Sequence, residues 1–205
     1  MKQPMRRRVL RACGALPLAA LLPTAHAQPD DLDVPPPAPL AQSAIDAFLA
    51  AARAAGGIVD GRSPHRLYVV FDPNCPYCHQ LYDDLRPYVA RGQVAVSWIV
   101  VGFLGPSSLP KAAAILQARD PLAALRSNEA RYSFPRHGEG GGGVAPAATI
   151  APATRARLAR NLDMLRRIHV FGVPVMVWRG TDGEARLMLG EVKASQLSEL
   201  VALVA

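Results

Sequence analysis

Cysteine is scarce in this chain: three among 205 residues, at Cys13, Cys75 and Cys78. That scarcity excludes a disulfide-stapled scaffold, which needs several bridges at wide spacing. Two of the three stand in Cys75-Pro76-Tyr77-Cys78. A bridge so local closes too small a loop to stabilise the fold much by restricting the unfolded chain. No apolar run reaches the roughly 20 residues of a membrane-spanning helix. There is no internal repeat, and no second Cys/His pair that would complete a structural zinc site. The glycine-rich tract 138–143 lacks the Lys-Ser/Thr of a phosphate loop and does not lie between a strand and a helix. It is expected to be a flexible surface loop.

What is present begins with a targeting segment. Lys2, Arg6, Arg7, Arg8 and Arg11 form a basic n-region, Cys13–Leu22 is apolar, and Ala25-His26-Ala27 offers small residues at a cleavage site. Residues 1–27 therefore read as a secretory signal peptide cut after Ala27. Arg6 to Arg11 also loosely resembles a twin-arginine signal. Removing 27 of the 205 residues removes five basic and no acidic side chains, so the formal net charge falls from +7 to +2. The charge that remains calls for neither nucleic acid nor an anionic membrane as partner. Cys13 leaves with the signal, and the exported chain keeps one close cysteine pair. Its length suits one domain with an appendage.

Residues 28–39 are acidic and then proline-rich, an extended linker. Residues 40–57 form a linker helix with Leu40, Ile45, Phe48 and Leu49 on its apolar face, closed by Gly56-Gly57. The domain proper spans 58–205. Arg66–Phe71 is a nearly continuous apolar, β-prone run, as a central buried strand should be. Asp72-Pro73-Asn74 breaks it, and Pro76 suits the first turn of a helix running to about Ala90. Val94–Val101 is a second buried strand. Helices follow from Pro110, from Pro121, and from Thr154 to about His169, the last with Leu158, Leu162, Leu165 and Ile168 on one side. Gly172-Val173-Pro174 opens a strand through Trp178. Arg186–Leu189 returns as its partner after Thr181-Asp182-Gly183, and a helix from about Lys193 to Leu203 closes the chain. The class is α/β, with a βαβ half, a helical insertion at about 104–168, and a ββα half.

The cysteines thus fall at a strand–turn–helix junction. The nucleophile in thiol–disulfide exchange is the thiolate, and a helix N-terminus favours an anion. Cys75 is therefore expected to be the exposed, activated thiol, and Cys78, about one turn on and deeper, the resolving one. Pro76, Tyr77, His79 and Asp72 are candidate tuning residues, with Asp72 read mainly as a turn former and His79 also as a solvated helix-surface residue. Pro174 is a candidate cis proline. Other chemistries share the pattern. Cys75-x-x-Cys78-His79 fits c-type haem attachment, and the pair with His79 or His169 fits part of a zinc site. A purely structural disulfide is the remaining one. The buried strand feeding directly into the motif favours redox exchange, with no cofactor and no metal.

Several stretches together resemble a family. Asp72-Pro-Asn-Cys-Pro-Tyr-Cys-His79, Arg86-Pro-Tyr-Val89, Val100-Val-Gly-Phe103 and Lys111 through Pro121 are similar to the periplasmic DsbC/DsbG thiol:disulfide interchange proteins, most of all to DsbG. The resemblance covers about residues 41–204. It implies a thioredoxin-like fold with a helical insertion, an active pair Cys75 and Cys78, and a cis Pro174 facing it. It also implies that Val173 offers backbone hydrogen bonds to an extended substrate. Implied partners are protein thiols, disulfides and sulfenic acids and a DsbD-type membrane reductase, with no stable membrane insertion. Two features depart from that pattern. Only residues 28–64 precede the catalytic strand, where the family carries an N-terminal dimerisation domain. Val173 stands where DsbC and DsbG have Thr, as in the oxidase DsbA. A monomeric DsbA-like thiol oxidase is the alternative these departures raise.

Overall fold

The computed structural model describes residues 39–136 and 139–205. The expected signal peptide and almost all of the proline-rich linker lie outside the described residues.

The first helix, α1 (Gln42–Ala55), buries Phe48, Leu49 and Ala52, one face at i, i+1 and i+4 spacing. Gly56 ends it in the left-handed conformation at φ +58, which glycine adopts without a Cβ penalty. Six further elements form the first half and the start of the insertion: β1 (Ile58–Asp60), β2 (Arg66–Phe71), α2 (Pro76–Ala90), β3 (Ala95–Val100), α3 (Ser108–Gln117) and α4 (Pro121–Ala130). A hairpin follows, β4 (Ser133–Arg136) and β5 (Glu139–Gly141), then α5 (Pro152–Arg167), β6 (Val175–Arg179), β7 (Ala185–Leu189) and α6 (Ala194–Ala202).

Five strands make one mixed sheet in the order β1-β3-β2-β6-β7. β2 is parallel to β3 and antiparallel to β6, and β1 and β7 are antiparallel to their neighbours. The centre of the sheet is therefore the apolar run at β2. Its side chains alternate between two cores, as the two-residue period of a strand requires. Leu67, Val69 and Phe71 join a cluster with Leu81 and Leu85 of α2 and Leu197 and Leu200 of α6. Val70 joins the opposite cluster, with Phe48 and Leu49 of α1 and Met164 and Leu165 of α5. Truncating any of these fully buried chains to alanine would cost about 2–5 kcal/mol.

One element is added to the sequence reading and one expectation is corrected. Residues 58–60 form a strand that the composition does not mark, because three residues carry no period and their pairing to β3 is non-local. The insertion is not wholly helical. Part of the glycine-rich tract forms β5, and Gly141 and Gly142 are buried. Gly142 N–H donates to Pro73 O at 2.9 Å, and Gly143 N–H to Asn128 O at 2.9 Å. A Cβ on Gly142 would fall within the Asn128 amide. Gly142→Ala is thus expected to destabilise the protein by about 1–3 kcal/mol, the cost of overpacking a filled site, measurable as a lowered urea midpoint.

Candidate active site

The turn after β2 is held by one carboxylate. Asp72, buried at the strand's end, accepts from Asn74 N–H (2.9 Å) and Ser108 Oγ–H (2.7 Å) on Oδ1. On Oδ2 it accepts from the backbone N–H groups of Phe103 (2.7 Å) and Leu104 (3.1 Å). Three segments meet on this side chain: the 72–75 turn, the loop after β3, and the first turn of α3.

Asn74 continues the network. Its amide nitrogen reaches Ser107 Oγ at 2.8 Å and Ser108 Oγ at 3.1 Å, and its amide oxygen accepts from Lys111 Nζ at 2.9 Å. Its backbone carbonyl accepts from the Tyr132 hydroxyl at 2.9 Å. The residue preceding Cys75 is thereby fixed from both sides.

Cys75 is the N-cap of α2, and Pro76 occupies its first position. Cys78 N–H donates to Cys75 Sγ at 3.2 Å. The Cys75 thiol in turn lies 3.5 Å from the Val173 carbonyl, in hydrogen-bonding position. The Val173–Pro174 peptide is cis. Both cysteines are free thiols.

One expectation is corrected here. Cys75 is only 2% exposed, the same as Cys78, because the Val173–Pro174 segment covers it. The two thiols differ in electrostatics instead. Hydrogen bonds from the Cys78 thiol lower the pKa of Cys75, aided by the Cys78 and Tyr77 backbone N–H groups and opposed by burial and the Asp72 charge. Burial pushes Cys78 well up, and the neighbouring Cys75 raises it further. The arrangement can hold one thiolate at the helix N-terminus and keep the second thiol protonated until its neighbour is consumed.

A pH dependence follows. The Cys75 thiolate band near 240 nm is expected to titrate with a midpoint below the ordinary thiol value of about 8.5. Because that pKa is lowered in the folded reduced protein, the thiolate adds stability that is present above the ordinary value. That contribution is lost as pH falls through the folded midpoint. Exchange through Cys75 slows over the same interval. Cys75→Ser should remove both the band and this pH dependence.

The remaining sequence candidates are dispersed in character. Tyr77 is exposed on the first turn of α2. His79 is not the solvated residue that its position on a helix surface suggests. Its side chain is 14% exposed, with Nδ1 3.0 Å from Glu129 Oε2 and its ring stacked on Tyr132 at 4.3 Å. His169 is exposed at the end of α5, with φ +54. Among the described residues no group of three or more His, Cys, Asp or Glu side chains is arranged to hold a metal ion.

Sequence reasoning misses Asn74 as more than a strand breaker, gives Lys111 no role at the site, and misses Asn128, Glu129 and Tyr132 altogether. One signal exists for two of them. Leu125, Asn128 and Glu129 recur at i, i+3 and i+4, and α4 buries all three. Two polar residues on the apolar face of a helix require partners there.

The model of the thioredoxin-like domain matches residues 57–205. The chain belongs to the thioredoxin-like family. Among curated thioredoxin-like relatives, it is 31% identical over 146 residues to the thiol:disulfide interchange protein DsbG of Pseudomonas aeruginosa, covering 70% of this chain and 54% of that protein. It is 40% identical over 75 residues to DsbG of Escherichia coli, covering 36% of this chain and 30% of that one. The chain thus spans about half the length of the first of these relatives and less of the second. Solved structures share the thioredoxin-like fold. The catalytic domain of Proteus mirabilis ScsC superposes with a TM-score of 0.60 at 20% identity, over 80% of this chain and 97% of that one. The thiol-disulfide exchange protein alpha-DsbA2 of Wolbachia pipientis gives 0.54 at 15% identity, over 78% and 93%. Among the described residues no helix is long and apolar enough to cross a membrane.

Proposed function

We propose that this protein is an exported, periplasmic thiol:disulfide oxidoreductase of the DsbG kind, a disulfide reductase or isomerase or a sulfenic-acid reductase. The observation that carries this reading is the Cys75 sulfur at the α2 N-terminus, receiving the Cys78 N–H and facing the Val173 carbonyl across a cis peptide. The similarity over 146 residues to a thiol:disulfide interchange protein, DsbG, supports the exchange chemistry.

In this reading the Cys75 thiolate attacks one sulfur of a substrate disulfide. The S–S bond breaks, a Cys75–substrate disulfide forms, and the other substrate sulfur leaves as a thiolate that takes a proton. Cys78 then loses its proton and attacks the Cys75 sulfur. The substrate departs as a dithiol, and the protein is left with a Cys75–Cys78 disulfide. A sulfenic acid enters the same way, with water as the leaving group. Two electrons from a DsbD-type membrane reductase restore the thiols. In isomerisation the substrate's own second thiol resolves the mixed disulfide, and no net electrons are consumed.

Pro76 and Tyr77 act as tuning residues by setting the first turn of α2, and Asp72 by its charge and its hold on the turn. Val173 and Pro174 form the wall along which an extended substrate lies. Exposed Tyr77, Leu104 and Phe171 rim this end of the sheet, which suits polypeptide with apolar side chains beside its cysteine. The c-type haem reading finds little support: both thiols are buried in the core cluster, and His79 is committed to Glu129 and Tyr132.

Val173 favours the second reading, a DsbA-like oxidase. Expressing Cys78→Ala in the native periplasm separates the two. That variant keeps the attacking thiol and cannot resolve, so it holds its partners covalently. Recovery of oxidised substrates and a DsbD-type reductase is the expected result. Recovery of a DsbB-type quinone-linked partner would replace the reductase reading with the oxidase one.

A further inference from the structure

Glu129 is the one carboxylate among the described residues that is buried beside the redox pair yet has no part in the exchange chemistry above. It is 4% exposed, on the last turn of α4. Oε1 accepts from Asn128 Nδ2 at 2.9 Å, and Oε2 lies 3.0 Å from His79 Nδ1, which donates when that nitrogen carries the proton. Burial raises the Glu129 pKa, and the Asn128 and His79 contacts oppose that rise. A carboxylate is costly to bury unless it is hydrogen-bonded, so its placement calls for an account.

The surrounding contacts supply one. His79 directly follows Cys78 and sits on the first turn of α2. Tyr132, two residues after the end of α4, stacks on the His79 ring at an interplanar angle of 5° and donates its hydroxyl to the Asn74 carbonyl. Asn128 donates to the Pro73 carbonyl at 3.2 Å. Three neighbouring residues of the insertion therefore grip Pro73 and Asn74 on one side of Cys75 and His79 on the other. The hydrogen bond from Cys78 N–H to Cys75 Sγ spans the same gap. It is the N-cap bond of α2, and its donor and acceptor both lie within the segment so gripped.

We propose that Glu129 is a positioning residue for the redox pair, acting through His79 to hold the first turn of α2 against the Asn74 turn and so to keep the Cys78 N–H on the Cys75 sulfur. The insertion thereby tunes a thiolate to which it contributes no atom. This inference rests on the Cys75–Cys78 exchange proposed above.

The test uses the full exported chain and two readouts: the Cys75 thiolate midpoint at 240 nm, and the redox equilibrium with glutathione. Glu129→Leu keeps the volume and removes the link to His79. The Cys75 midpoint is expected to rise, and the equilibrium to shift roughly threefold to tenfold toward the disulfide, because a less stabilised thiolate makes the reduced form less favourable. Glu129→Gln, which still accepts from His79 Nδ1–H, is expected to restore most of both. In a His79→Ala background Glu129→Leu should have no further effect on either readout. If Glu129→Leu does not fold, His79→Ala replaces it, with the same sign required. Unchanged readouts overturn the proposal, as does a shift in the opposite sense. Equal effects of Leu and Gln also overturn it, since charge and not position would then act. Failure of the unaltered protein to equilibrate with glutathione would instead sink the exchange reading itself.

Discussion

Cys75→Ser is expected to slow thiol–disulfide exchange by ~10³-fold or more, to the uncatalysed background, because a serine hydroxyl neither ionises near neutrality nor forms a mixed disulfide. The neighbouring substitution has a different signature. Cys78→Ala keeps the α2 N-terminus and the Cys78 backbone N–H that reaches Cys75 Sγ at 3.2 Å. It removes the Cys78 thiol, the largest contribution lowering the Cys75 pKa, so the Cys75 midpoint should rise in that variant. Attack continues at a reduced thiolate fraction, and release stops. Single-turnover kinetics with a disulfide-bonded peptide would therefore show an adduct accumulating on Cys78→Ala and none on Cys75→Ser. An adduct on Cys75→Ser, through Cys78, would reverse the assigned roles. Burial makes that reversal costly, since it pushes the Cys78 thiol well up.

Asp72→Ala has the largest expected effect on stability. Its carboxylate receives four donors from three segments: Asn74 N–H, Ser108 Oγ–H, Phe103 N–H and Leu104 N–H. Truncation leaves those donors facing a small cavity in a buried site. The loss should reach about 3–5 kcal/mol, read as a lowered denaturant midpoint at unchanged m-value. Asp72→Asn should cost less, about 2 kcal/mol, because an amide oxygen can still accept while its NH2 must face donors. The two variants share a second effect with a definite sign. The Asp72 charge raises the pKa of both cysteines, so removing it should lower the Cys75 thiolate midpoint. A stability loss with no movement of the midpoint would confine Asp72 to holding the turn.

The parts of this fold that are local in sequence are legible in the residues themselves. The Arg66–Phe71 run is nearly continuous in apolar residues because β2 lies between β3 and β6 and packs into a core cluster on each face. Pro76 marks the start of α2 because a helix needs no N–H there. Gly56 marks the end of α1 by its left-handed backbone. What escapes is non-local. β1 is three residues long and owes its existence to pairing with β3. The glycine tract reads as loop because no periodicity reveals that its bare backbone must pass Asn74 and Asn128. His79 reads as solvated because Glu129, its partner, lies 50 residues on. The candidate pair itself is legible in four consecutive residues. The polar frame around it, from Asp72, Asn74, Lys111, Asn128, Glu129 and Tyr132, is assembled by tertiary contacts across the insertion.

That frame bears on Val173. Its carbonyl lies 3.5 Å from the Cys75 sulfur, which is itself 2% exposed. In the proposed exchange a substrate entering along this wall would displace the carbonyl contact.

Cys75 and Cys78 are expected to cycle between dithiol and disulfide. Equilibrating the whole protein across a glutathione series, then counting free thiols by alkylation and mass, tests this cycle most directly. The predicted result is a single two-electron transition in which both thiols disappear together into one intramolecular Cys75–Cys78 bridge, reversible in either direction. Two thiols that remain alkylatable across the whole series would contradict it.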